Sequence, residues 1–274
     1  MTLDSHQHFW NYNPVRDAWI DDSMATIRKD FLPQDLQSIL KKNGIDGSIA
    51  VQADPSETET EFLLSCAKTS PFIKGVVGWV DLLNDNLEER LSHYSKNKLL
   101  KGVRHIVQAE PNDFMLRTDF QHGISKLERF NLTYDILVFP YQLNAAIKLA
   151  HRFPNQKFVL DHMGKPFIKT GEIDQWKKDI IALSKASNVY CKVSGMVTEA
   201  NLTQWKISDF KPYLDVIFEA FGTDRVLYGS DWPVCLLAAK YEQQLRIIQD
   251  YISAFSNYEK AKIMGINARD FYHC

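Results

Sequence analysis

The sequence predicts an α/β chain closed into a single-domain (β/α)8 barrel, the TIM-barrel architecture, spanning residues 1–274. Three observations lead there. Short apolar runs rich in β-branched and aromatic residues alternate with helical patterns, and eight such runs can be counted, which argues for parallel βαβ units. The length of 274 residues suits a barrel, which typically takes roughly 250. No Pro/Gly/Ser-rich linker or low-complexity segment divides the chain.

The strand candidates are Leu3–Trp10, Gly47–Ala53, Ile73–Val80, Leu100–Val107, Leu132–Val138, Lys157–Leu160, Val189–Val193 and Arg225–Tyr228. Helical patterns lie between them. "LPQDLQSILKKNG" sets Leu36, Ile39 and Leu40 on one stripe and stops at Gly44. "NDNLEERLSHY" spaces Leu87, Leu91 and Tyr94 by helical turns, "FQHGISKLERF" does so with Phe120, Ile124 and Leu127, and "KPYLDVIFEAFG" ends at Gly222. The long first connection, Asn11–Leu32, is expected to help cover the site, with Met24, Arg28 and Lys29 as candidate contacts.

Composition excludes several classes. Hydrophobic residues make up 45% and charged residues 24%, as in a soluble protein with a sizeable core. The net charge of −2 offers no basic excess for nucleic acid. No apolar run approaches the ~20 residues of a membrane span, and the start carries no secretory pattern. Cys66, Cys191, Cys235 and Cys274 are scattered and form no CxxC pair, so a reduced, cytoplasmic setting is expected.

In a barrel of this kind reactive groups stand where strands run out into loops. The opening "LDSHQHFW" places His6 and His8 on one strand face with Asp4 beside them, because residues two apart project the same way. The other strand ends supply Gln52 and Asp54; Trp79 and Asp81; Arg104, His105 and Gln108; Asp161, His162 and Lys165; Lys192 and Ser194; and Ser230, Asp231 and Trp232. Polar groups recurring at one rim suit water attack on a polarised carbonyl. Asp231 would take a proton from water, and histidines, bare or through a metal, would stabilise the oxyanion. His6, His8, His162 and Asp231 make a three-nitrogen, one-oxygen set for Zn²⁺ with an open position. The indoles of Trp10, Trp79 and Trp232 suit sugar C–H faces; Arg104, His105, Lys165 and Gln52 are further candidates for holding a substrate.

"DSHQHFW", "AWIDD", "RKDFLPQDL", "VQADPSETETEFLL", "GVVGWVDL", "KGVRHIVQ", "FVLDHMGKP", "VLYGSDWPVC" and "GINARDFY" together resemble, nearly end to end, the amidohydrolase-related family of sugar lactonases, of the L-fuconolactonase and L-rhamnono-lactonase type. The resemblance implies a TIM barrel that hydrolyses lactones of sugar acids within deoxysugar catabolism such as L-fucose degradation. His6 and His8 match the strand-one pair, His162 the histidine after strand six and Asp231 the proton-shuttling aspartate after strand eight. Binuclear amidohydrolases bridge two metals with a lysine after strand four. Here that position reads "VRHIV", and the fifth run ends in "DILVFP" without a histidine. The expectation is therefore one divalent ion, or none, and a small-molecule sugar lactone as partner. The competing readings are a metal-dependent decarboxylase of an aromatic acid and a non-catalytic sugar-binding barrel.

Overall fold

The computed structural model describes every residue from Met1 to Cys274. Eight strands form one parallel sheet in chain order: β1 (Leu3–Gln7), β2 (Gly47–Val51), β3 (Ile73–Gly78), β4 (Leu100–His105), β5 (Thr133–Ile136), β6 (Phe158–Leu160), β7 (Val189–Val193) and β8 (Val226–Tyr228). The ends meet just beyond the last strand: His8 N donates to Trp232 O at 2.7 Å and Asp231 N donates to His6 O at 2.8 Å. The expected (β/α)8 barrel is therefore present. Its closing seam is made by the same residues that carry the candidate chemistry.

The helices are α1 (Pro33–Lys42), α2 (Glu57–Thr69), α3 (Leu87–Tyr94), α4 (Thr118–Leu127), α5 (Leu143–Arg152), α6 (Asp174–Ser184), α7 (Met196–Glu199), α8 (Ile207–Phe221), α9 (Tyr241–Tyr251), α10 (Asn257–Ala261) and α11 (Asn267–Tyr272). Their apolar stripes pack on the outer strand faces. Leu36 and Leu40 of α1, Leu91 of α3 and Phe120 with Ile124 of α4 are buried in one large core with Ala50, Val76 and Val103 of the sheet. Each such side chain contributes about 1.5–3 kcal/mol by leaving water. Helix starts follow local chemistry: Ser56 caps α2 by accepting from Glu59 N at 3.1 Å. None of the helices is long and apolar enough to cross a membrane.

A second, smaller core fills the barrel's lower interior. Leu3, Ile49, Val51, Val77, Val159 and Leu227 meet Ala268, Phe271 and Tyr272 of α11 there. The last helix thus plugs the barrel's lower end and leaves the opposite end for function.

The first strand departs from simple alternation. Asp4 pairs with Ser48 but Gln7 pairs with Ala50, so β1 carries one extra residue against β2. This bulge re-aims the side chains beyond it. Leu3 and His6 both face the barrel interior despite their odd spacing. Asp4, expected beside the histidines, instead turns outward and accepts from Ser230 N at 2.8 Å and from the Tyr241 hydroxyl at 3.0 Å. Period-two reasoning holds for His6 and His8, whose Nε2 atoms meet at 3.2 Å, and fails for Asp4, which precedes the bulge.

Candidate active site

Four side chains gather at the open end. Asp231 Oδ1 lies 3.3 Å from His8 Nε2, 3.8 Å from His6 Nε2 and 3.9 Å from His162 Nε2. His6 Nε2 and His8 Nε2 are 3.2 Å apart. All four residues are at most 5% exposed. The backbone is bent to bring them together. His162 and Asp231 sit at φ +52° and +58°, a left-handed region that non-glycine residues enter seldom and that Asp tolerates better than most. Gly195, at φ +61°, passes so close to the His162 ring that a Cβ there would fall 2.5 Å from Nδ1. Only glycine serves at that point.

The rings are fixed from behind. His8 Nδ1 donates to the Val51 carbonyl at 2.7 Å, which turns its Nε2 toward Asp231. His162 Nδ1 meets Ser194 Oγ at 2.9 Å. Burial pushes His6 far below the ordinary imidazole range and brings His162 down to about 4, so both rings are neutral near pH 7. Burial alone would raise the Asp231 carboxyl, but His162, His8 and His6 outweigh it and hold it well below the usual range. Asp231 is therefore ionised at neutral pH.

Beneath this cluster lies a layer of buried charge. Lys192 Nζ is 2.5 Å from Asp135 Oδ2, 3.0 Å from Asp161 Oδ1 and 3.2 Å from His6 Nδ1. Arg104 Nη1 donates to Asp161 Oδ2 at 3.0 Å, and Arg104 Nη2 donates to the Gln52 carbonyl. The Tyr272 hydroxyl of the plugging helix donates to Asp135 at 2.8 Å.

Above it opens a cavity of about 400 Å³, within the range of small-molecule sites. Of the residues singled out in the sequence, His8, Trp10, Asp54, Arg104, His105, Gln108, His162, Lys165 and Asp231 line it. His6 lies just below. Gln52 does not line it; its carboxamide Nε2 donates to the Arg104 carbonyl at 3.1 Å and so braces that residue. Trp232 is packed edge-on against Phe31 and Phe9, with centroids 5.2 and 6.1 Å away. Trp79 is half-buried away from the cavity lining, its backbone N donating to Thr60 Oγ1 at 2.7 Å.

Among the lining residues not singled out in the sequence are Arg16, Trp19, Glu110 and Val234. Arg16 and Trp19 come from the first connection, which does cover the cavity, though through residues other than the expected ones. Trp10 and Phe31 exchange backbone bonds of 2.9 Å to close the loop's neck. Asp17 then grips the Arg16 guanidinium through Nε and Nη2, both at 2.8 Å. Met24, Arg28 and Lys29 do not line the cavity; Arg28 is held by Asp22 and by Tyr12 Oη at 3.1 Å. The adjacent Arg-Asp pair inside "PVRDAWI" was the available signal. Glu110 joins through His105, whose Nε2 lies 3.0 Å from Glu110 Oε1.

The amidohydrolase family model matches residues 3–274. The chain belongs to the amidohydrolase family. This amidohydrolase is 36% identical to the L-fucono-1,5-lactonase of Burkholderia multivorans, over 99% of this chain and 96% of that one. It is 31% identical to the L-fucono-1,5-lactonase of Burkholderia ambifaria, over 98% and 94%. A crystal structure of an amidohydrolase from Burkholderia multivorans with bound zinc superposes with a TM-score of 0.96 at 35% identity, covering 100% of this chain and 99% of that one. The amidohydrolase is accordingly a carboxylic ester hydrolase.

The donor chemistry fits a single divalent ion. His8 presents Nε2, Asp231 an ionised oxygen 3.3 Å away, and His6 and His162 turn Nε2 toward the same oxygen. Three imidazoles and one carboxylate are a set that divalent ions of the zinc type accept. No lysine joins them from β4, whose end holds Arg104, with Nη1 3.4 Å from His6 Nε2.

Proposed function

We propose that this enzyme opens the ring of a neutral sugar-acid lactone, an aldonolactone of the L-fucono kind or a related L-galactono or L-rhamnono one, by attack of water on the lactone carbonyl. The observation that carries the reading is Asp231: an ionised carboxylate at the mouth of the cavity with three imidazoles turned toward one of its oxygens. The similarity to L-fucono-1,5-lactonases supports it.

In this reading Asp231 removes a proton from water as the bond to the carbonyl carbon forms, then returns it to the ring oxygen as that C–O bond breaks. His6 and His162, neutral, meet the charge developing on the carbonyl oxygen. When bound by His6, His8, His162 and Asp231, one divalent ion such as Zn²⁺ would polarise the same carbonyl. Arg104, His105 and Lys165 hold hydroxyls, and Trp10 and Trp19 lay indole faces against sugar C–H groups. Gln52 and Trp232 serve by bracing Arg104 and the Asp231 turn.

The charge of the cavity wall favours a neutral substrate. Arg16, Arg104 and Lys165 are matched there by Asp54, Glu110 and Asp231. An aromatic-acid decarboxylase would need surplus positive charge for its anionic substrate. A panel of aldonolactones assayed by acid release tests the proposal. Turnover of deoxy-L-sugar lactones is expected; silence across the panel with CO₂ release from an aromatic acid would overturn it.

A further inference from the structure

The cavity wall that follows β4 is rich in acceptors, and the reaction described so far gives two of them no task. Glu110 and Gln108 both line the cavity. His105, the last residue of β4, brings Nε2 to 3.0 Å from Glu110 Oε1. A carboxylate only accepts, and its two oxygens offer about four lone-pair positions. The imidazole occupies one of them, and the Glu110 side chain stays 33% exposed, so acceptor capacity remains for a ligand. Gln108 Oε1 is buried without a hydrogen-bond partner, a state that is unfavourable until a donor arrives.

The wall is held in place from several sides. The His105 ring stacks on Phe114, with centroids 4.9 Å and planes 13° apart, and the Arg117 guanidinium sits 5.3 Å from the Phe114 centroid. Gln142, wholly buried, donates through Nε2 to the Val107 carbonyl at 2.8 Å and to the Glu110 carbonyl at 3.0 Å. Glu110 N donates to the Val107 carbonyl at 2.8 Å, and Gln108 N donates to the Leu137 carbonyl at 3.1 Å. An acceptor fixed in this way loses little freedom on meeting a ligand. The surrounding charge is one-sided. Each lining cation has a carboxylate outside the cavity lining: Arg16 has Asp17, Arg104 has Asp161 and Lys165 has Glu199. The partner of Glu110 is an imidazole, which carries charge only when protonated. A ligand bringing a further negative charge to this wall would be repelled.

We propose that Glu110 is a specificity-determining residue: it accepts a hydrogen bond from a substrate hydroxyl remote from the reacting carbonyl, and its negative charge turns away lactones that carry a carboxylate. The proposal rests on the lactonase reading and names what selects the substrate within it. Asp231 and the histidines come from the ends of β8, β1 and β6, whereas Glu110 stands on the turn after β4. Recognition of the hydroxyl and breaking of the ring bond therefore lie on different walls, and Glu110 governs affinity more than turnover. A hydroxyl can donate to Glu110; a hydrogen, a methyl group or an ether oxygen cannot. A site built to bond a hydroxyl rejects the analogue that lacks it.

The test is steady-state kinetics of the full-length wild type, of Glu110→Ala, which removes the contact, and of Glu110→Gln, which keeps the shape and removes the charge. The substrates are a good aldonolactone, its monodeoxy analogues, and an aldarolactone of the same ring size, which carries a carboxylate. On the parent lactone Glu110→Ala should raise KM about tenfold and leave kcat nearly unchanged. On one monodeoxy analogue that difference should vanish, because the partner hydroxyl is gone. On the aldarolactone Glu110→Gln should exceed the wild type in kcat/KM by about tenfold or more. A KM change of equal size on every deoxy analogue would mean that Glu110 only shapes the wall, and it overturns the hydroxyl contact. Equal action of wild type and Glu110→Gln on the aldarolactone overturns the charge filter. If the wild type turns over none of the lactones, the lactonase reading falls, and calorimetry with the same compounds still decides Glu110. A tenfold loss of affinity in Glu110→Ala that one deoxy analogue escapes upholds the contact; unchanged affinity overturns it.

Discussion

The two ends of the barrel are built from opposite materials. At the upper end, charged and aromatic residues from β1, β4, β6 and β8 surround a cavity, and the backbone at His162 and Asp231 adopts left-handed conformations. At the lower end, Leu3, Val159 and Leu227 meet Phe271 of α11 in an apolar plug. Local strain of about 1–3 kcal/mol per residue gathers where the candidate chemistry is, and close packing gathers where it is not. Substitutions above should therefore change turnover in a folded protein. Substitutions below should change stability while the surviving folded molecules turn over normally.

The largest expected effect is above. Asp231→Asn keeps the shape and removes the base, so kcat should fall by roughly 10²–10⁴-fold with KM changed much less. A well-folded variant keeping more than about a tenth of wild-type kcat would show that Asp231 is not the base. Below, Phe271→Ala empties part of the plug and should cost about 3–5 kcal/mol in denaturant unfolding. Its kcat per folded molecule should match the wild type, because the ring lies in the apolar layer and touches no cavity residue. A large kcat loss in folded Phe271→Ala would erase the division between the two ends.

A smaller effect sharpens the picture at the cavity's outer wall. Arg16 is gripped along one edge by Asp17 and by the Asn11 carbonyl at 2.6 Å, and it reaches the cavity from a loop instead of a strand. Arg16→Met should raise KM about tenfold, the equivalent of about 1.4 kcal/mol, and leave kcat nearly unchanged. Steady-state kinetics on a good aldonolactone would decide it; a kcat loss with constant KM would move Arg16 into the reacting centre.

The sequence made the upper end more legible than the lower. Apolar runs with polar residues at their ends are enough to place His8, Arg104, His162 and Asp231 on one rim, since barrel geometry converts a strand end into a position. It could not show the bulge in β1, because an extra residue leaves no mark in composition; hence Asp4 was read onto the wrong face. Nor could it show that Lys192 and Asp135 meet beneath His6. Single charges inside apolar strands read as exposed until the partners from β5, β6 and β7 are brought together. Arg16 was missed because loop shape follows from contacts such as Trp10–Phe31 that no local pattern encodes.

The smallest expected effect lies between the two ends. Glu59 of α2 is buried behind the cavity wall, where Oε1 accepts from Ala53 N at 3.1 Å. Burial, with Asp54 and Asp17 nearby, lifts its carboxyl to about 7 despite the Arg16 guanidinium and the Ala53 bond. The unfolded chain titrates this group near 4.5, so across pH 4.5 to 7 the native protein binds the extra proton. Stability must then fall as pH rises through that window. The full shift corresponds to a few kcal/mol at about 1.4 kcal/mol per unit, and local relaxation would reduce it to about 1 kcal/mol. Glu59→Gln keeps an oxygen for the Ala53 bond and cannot ionise. At pH 5 the variant should melt with the wild type. At pH 8 it should melt about 2–4 °C higher, the shift that about 1 kcal/mol produces in a protein of this class. Its kcat should not change at either pH, because Glu59 lies outside the cavity lining. Equal melting at both pH values would mean that Glu59 is ionised at no cost. A kcat that followed the same titration would tie this buried carboxyl to the chemistry, and the separation of stability from turnover would no longer hold.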